Sequence, residues 1–181
     1  MRYLFIALSL LFVPTVAMAQ GKLTPRPLDP ISVETFAHAI EGSAAVRALV
    51  AQLEDSNVIV HIVTVPQLPA GIGGTTRFVT ARGGYRYLRI TLASAMTLRL
   101  RSGILGHELK HACEVASSSA TDAESMRELF ENEGHRAGQY FDTSAANEIE
   151  RNVLLELRTR RRAGLRSGQA LQAEPVGKFD H

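Results

Sequence analysis

The sequence predicts a small α+β domain: an N-terminal helix, a small three-stranded sheet, a central helix and further C-terminal helices. Three observations predict it. Apolar residues recur at three- and four-residue steps toward both ends of the chain, which is the period of a helix with one buried face. Between them lie a β-branched run and a pair of alternating segments around Gly83-Gly84, which read as a strand and a hairpin. The 181 residues, 45% hydrophobic with a net charge of +2, suffice for one core and exclude a disordered chain. A lone Cys113 excludes a disulfide framework or a Cys-rich zinc ribbon, and no apolar run reaches the roughly 18 residues of a spanning helix.

The chain starts as an export signal. Arg2, an apolar stretch over 3–13 and the small-x-small site Ala17-Met18-Ala19 predict a signal peptide at 1–19, with Gln20 as the new N-terminus. Gln20 is not a cysteine, so no lipid anchor is expected, and the mature chain is expected in a periplasmic or secreted space without a stable membrane anchor. In such a space Cys113 is expected to be buried and inert, or paired between molecules. An extended leader follows at 20–31, marked by Pro25, Pro27 and Pro30. The folded domain is expected over 32–163, and a flexible basic tail over 164–181.

Within the domain, Phe36, Ile40, Val46, Leu49, Val50 and Leu53 share a helical stripe over 32–54, with a break at Gly42. Val58–Val65 is almost entirely β-branched, suiting a strand buried on both faces, and His61 inside it reads as a core histidine. Segments 76–80 and 85–92 flank Gly83-Gly84. The second alternates Tyr85, Tyr87, Arg89 and Thr91 with Arg86, Leu88, Ile90 and Leu92, so one face is expected in solvent. Thr121-Asp122-Ala123-Glu124 is a capping box opening another helix. A last helix over 144–162 carries the stripe Ala146, Ile149, Val153 and Leu157.

Chemistry concentrates at 103–116, a helical segment containing His107-Glu108-Leu109-Lys110-His111. Four residues of helix advance 400°, so His107 and His111 share a face one turn apart, and Glu108 borders it. Leu105, Leu109, Ala112, Cys113 and Ala116 are expected to form the apolar back. Two neutral imidazoles can hold zinc, which brings a bound water toward neutral pKa, and Glu108 is the candidate general base for metal-assisted hydrolysis. Such a site needs a third protein ligand and an open position.

This segment resembles the active-site helix of the zincin metallopeptidases. The likeness is strongest over about fifteen residues, and the order of helix, strands, motif helix and later helices is similar to a minimal zincin domain. The resemblance implies an exported zinc peptidase cleaving peptide or protein substrates, with His107 and His111 on Zn2+, Glu108 as base, and a preceding edge strand at 85–92 aligning the substrate. The chain departs from the family motif at Lys110 and Cys113. Glu114 and Ser117 stand where a metzincin carries glycine and histidine, so the gluzincin-like reading is the one pursued. Asn147-Glu148 resembles the pair that carries its third ligand, with Asn152 as a supporting partner. Glu148 is therefore the expected third metal ligand.

Alternatives for the third ligand come from the residues themselves. Glu114 lies on the face of His107 and either ligates, orients a histidine from behind or sits on a solvated face. Asp142 precedes the last helix, where it caps the helix or reaches the metal. His135 reads as a turn residue.

Charge is uneven: residues 20–157 hold 13 basic and 16 acidic side chains, and 158–181 hold six basic and two acidic. Arg158, Arg160, Arg161, Arg162 and Arg166 have no interleaved aromatics, so nucleic acid is not an expected partner of this tail. Two other readings remain at this point. One is a catalytically inactive zincin-like binding protein of the cell envelope, and the other an envelope-surface protein using the arginine tail.

Overall fold

The computed structural model describes residues 25–137 and 140–172. The expected signal peptide at 1–19, the start of the expected leader and the end of the expected basic tail lie outside the described residues. Among the described residues the architecture is α+β: five helices, a four-stranded sheet and a small two-stranded one.

The expected first helix is two, α1 (Pro30–Gly42) and α2 (Ala44–Glu54). The break falls at Ser43, which caps both: its backbone N–H closes α1 on Ala39 O, and its hydroxyl accepts from Val46 N–H. α1 begins earlier than its apolar stripe because Asp29 and Ser32 form a reciprocal capping box with Pro30 at the first turn.

Strand β2 (Val58–Val65) pairs parallel with β4 (Tyr85–Ala93), which pairs antiparallel with β3 (Gly74–Arg82). Gly83 and Gly84, at φ 60° and 80°, make the hairpin turn in the left-handed region that favours glycine. A fourth strand was not expected. Arg26–Pro27 of the leader forms β1, parallel to His61 and Ile62, giving the order β1-β2-β4-β3. Asp29 ties this leader to the sheet by accepting from the N–H and hydroxyl of Thr64 at 2.8 and 2.7 Å. The order also corrects the edge assignment. Segment 85–92 is interior, and β3 is the edge, because the tight turn folds β3 outward while β2 takes the other side of β4.

Helix α3 (Leu98–Ser117) carries the histidine motif and runs through the centre of the domain. Its apolar back of Leu105, Leu109, Ala112 and Cys113 is buried as expected, and its front with His107, Glu108 and His111 faces a cleft. Sheet, α1, α2 and α5 (Ser144–Gln172) surround it, so Glu108 and His111 are buried along with Leu105, Leu109, Ala112 and Cys113. Gly106 lets α5 approach, since a Cβ there would meet Val153 Cγ2 at 2.8 Å. Burial pushes the Cys113 thiol up to about 12, and it points at Leu49 O. Arg86 lies on the core side of β4. Its guanidinium donates to the carbonyls of Val115, Ala116, Ser118 and Ala120 and to Asn57, closing the C-terminal end of α3.

Helix α4 (Ala123–Glu133) is capped one residue later than expected, by Asp122 with Ser125, because Ser125 sits at the third helical position from Asp122. β5 (His135–Ala137) and β6 (Tyr140–Asp142) form the small hairpin leading into α5, with His135 opposite Asp142 in register. α5 continues past the expected end at 162 to Gln172. His61, half-buried, leans on Tyr87 with ring centroids 6.4 Å apart.

Candidate metal centre

His107 and His111 converge as the helical spacing requires. Their Nε2 atoms are 3.1 Å apart, and the rings meet edge to face at a centroid distance of 4.8 Å. Asp142 completes the group: Oδ1 lies 3.3 Å from His107 Nε2 and 3.7 Å from His111 Nε2. Ligand atoms held at about 2.0–2.2 Å by a tetrahedral ion stand about 3.3–3.6 Å from one another. The separations of 3.1, 3.3 and 3.7 Å bracket that range, so the three atoms could serve as one face of a tetrahedron around a single ion. Asp142 Oδ1 is buried without a hydrogen-bond partner, as an atom reserved for a cation would be. Among the described residues His107, His111 and Asp142 are the group that could hold a metal ion.

Each of the three has a polar group behind it, and two of them are hydrogen-bonded to it. His111 Nδ1 is 2.8 Å from Glu114 Oε2, and Glu114 Oε1 accepts from the Thr143 hydroxyl at 2.9 Å and sits 3.6 Å from Lys110 Nζ. His107 Nδ1 stands 3.4 Å from Glu150 Oε2, within ion-pair reach but outside hydrogen-bond geometry. Asp142 Oδ2 accepts from Asn147 Nδ2 at 2.9 Å. A carboxylate behind a ligating imidazole fixes its ring and tautomer, which is what Glu114 does for His111. Lys110, the departure from the family motif, is thereby part of the support.

The electrostatics follow from burial among carboxylates. Burial alone would lower the pKa of His107, but Glu150, Glu108 and Asp142 outweigh it and raise it. Burial raises Glu108, offset only in part by the two imidazoles and Thr76. Burial also works to raise Glu114, yet His111, Thr143 and Lys110 hold it below the usual carboxylate range. Glu108 is pinned under the edge strand: the Thr76 hydroxyl donates to its Oε2 at 2.7 Å, and a Cβ on Gly74 would meet its Oε1 at 2.8 Å. His107, Glu108, His111, Asp142, Glu150 and Thr76 line a cleft of about 560 Å³ between β3 and α4, floored by α3, with Ile104, Phe78, Met126 and Phe130 as its apolar walls.

The structure does not bring Glu148 to this group. It is exposed, because it lies 200° around α5 from Ala146, whereas Asn147 and Glu150 face the cleft. Asp142 takes the place expected of it, and it is free to do so because Thr143 caps α5 instead, accepting from Ala146 N–H at 3.1 Å. Asn152 is likewise exposed. Sequence reading overlooked Thr76, Gly74, Thr143 and Glu150. Only Glu150 left a signal, as an acid in phase with the stripe of Ala146, Val153 and Leu157. The chain matches no protein-family model, no curated protein and no solved structure.

Proposed function

We propose that the chain is an exported zinc-dependent metallopeptidase on a zincin-like scaffold. The observation that carries this reading is the triangle of His107 Nε2, His111 Nε2 and Asp142 Oδ1 at tetrahedral spacing, with a buried carboxylate beside it on the same helix. Two imidazoles and one carboxylate with an open position are a donor set that zinc accepts. Bound there, zinc supplies Lewis acidity, bringing a water toward neutral pKa and polarising a carbonyl.

The chain's own residues do the rest. Glu108, its Oε2 held by Thr76, takes a proton from the attacking water at Oε1 and returns it to the departing amine. Glu114 keeps the His111 ring turned toward the ion through Nδ1, and Asn147 does the same for Asp142. The backbone of edge strand β3 offers unpaired amides and carbonyls to an extended substrate, replacing the interior strand expected in that role. The apolar cleft walls of Phe78, Ile104, Met126 and Phe130 lie beside the reacting bond.

Two measurements test the reading. Metal content of the mature protein, purified without an affinity tag, is expected at one zinc per chain, and lost in His107→Ala and Asp142→Ala. Cleavage of an unfolded protein such as reduced casein is expected to vanish in Glu108→Gln while the zinc stays. A Glu108→Gln variant indistinguishable from wild type in every assay would leave the inactive binding protein as the correct reading.

A further inference from the structure

The open face of the sheet carries an arrangement that stability does not explain. Directly paired residues on neighbouring strands point to the same face, and Arg26, His61, Arg89 and Arg77 are paired in sequence across β1, β2, β4 and β3. Beyond the bulge after Phe78, Arg82 opposes Tyr85 on that same face. Strands β2, β3 and β4 contain no Asp or Glu. The four arginines are exposed, and among the described residues none is paired with a carboxylate. Like charges placed directly opposite one another destabilise a sheet. The field is felt within the row, where burial first and then Arg26 and Arg89 lower the pKa of His61.

The row ends at β3, the edge that borders the cleft. An extended polypeptide added to that edge becomes the next strand, about 4.8 Å beyond β3. Its side chains then alternate. One set turns toward α3, where Phe78 and Ile104 lie, and the other turns to the open face beside Arg77 and Arg82. An acid in the second set would be the opposite-charge cross-strand partner that the arginines lack. A nucleic acid has no alternating amides and carbonyls with which to extend the sheet, and the rings it would stack on are half-buried at Tyr85 and Tyr87.

We propose that the cationic row on the open face selects acidic polypeptide substrates, whose acidic side chains at alternate positions lie beside Arg77 and Arg82 while apolar ones enter the cleft. This rests on the peptidase reading for what happens to the bound chain, but binding can be read without turnover. The probes are two fluorescein-labelled short peptides, one with Glu and one with Lys at alternate positions and Leu or Thr between. They are titrated by anisotropy into the zinc-loaded Glu108→Gln protein and into its Arg77→Glu/Arg82→Glu derivative, with thermal melts to verify that the derivative is folded.

The Glu peptide is expected to bind about 10-fold tighter than the Lys peptide at low salt, with the difference shrinking as salt is added and reversing in the derivative. Equal affinities, or a preference that the charge reversals leave unchanged, overturn the proposal. So does a single-stranded oligonucleotide that binds more tightly than the Glu peptide and is lost in the derivative. Charge-dependent peptide binding in a protein that holds no metal and cleaves nothing refutes the peptidase reading alone. Cleavage indifferent to acidic positions refutes this proposal alone.

Discussion

Replacing Asp142 by alanine separates the metal site from the fold. The substitution removes Oδ1, 3.3 and 3.7 Å from the two imidazole nitrogens, and leaves two ligands on one helix. Removing a group that merely orients a ligand costs about 10–100-fold in metal affinity, so losing a ligand costs at least about 100-fold, or about 2.7 kcal/mol. With zinc at about 1,000 times the wild-type Kd, binding stabilises the native protein by about 4.1 kcal/mol, and the variant by about 1.4 kcal/mol. For a domain of this size that difference is about 5–11 °C in the metal-induced rise of Tm. Without metal the same change removes an oxygen that has no hydrogen-bond partner and one acceptor of Asn147, worth about 1 kcal/mol or less. The assay is a thermal melt of wild type, Asp142→Ala and Glu148→Ala with and without zinc, alongside elemental analysis. A full metal-induced rise in Asp142→Ala, with the rise lost in Glu148→Ala, would refute the assignment of the third ligand.

Other substitutions probe the support and the scaffold. Glu114→Gln weakens the hold on His111 and is expected to cut zinc affinity by about 10–100-fold, read by competition with a chromogenic chelator; unchanged affinity removes Glu114 from the site. Arg86→Met takes the donors away from four carbonyls closing α3 and is expected to cost about 3–5 kcal/mol in urea denaturation of the metal-free protein, and a loss under about 1 kcal/mol contradicts that role. For Asp29, burial works to raise its pKa, but hydrogen bonds from Ser32 and Thr64 outweigh it and hold it below the ordinary value. Asp29→Ala is therefore expected to cost about 0.5–2 kcal/mol at neutral pH. The wild-type advantage is present above the ordinary carboxylate range and is lost as pH falls through Asp29's depressed pKa, because the unfolded chain takes up its proton first. An advantage that grows on acidification contradicts the cap.

Local patterns were legible in the residues alone. Val58–Val65 formed a strand with the boundaries its β-branched run marks, and Gly83-Gly84 turned the hairpin because two successive positive φ angles suit glycine. The approach of His107 to His111 needed nothing beyond 3.6 residues per turn. Each depends on neighbours a few positions apart, where backbone sterics and helical period decide. The partners of those elements were not legible. Asp142 rather than Glu148 meets the histidines because α5 crosses α3 in the phase its apolar stripe dictates and Thr143 takes the cap. β3 rather than β4 became the edge because β2 returned on the other side of β4. Arg86 alternates in register with Leu88, Ile90 and Leu92, but the carbonyls that it meets there come from the end of α3 and the residues after it, about 30 positions away. The amino-acid sequence by itself determined the helix that carries two convergent imidazole nitrogens; which carboxylate meets them, and which strand overhangs them, was decided by long-range packing, where burial of apolar surface sets the geometry and the polar groups take what positions remain.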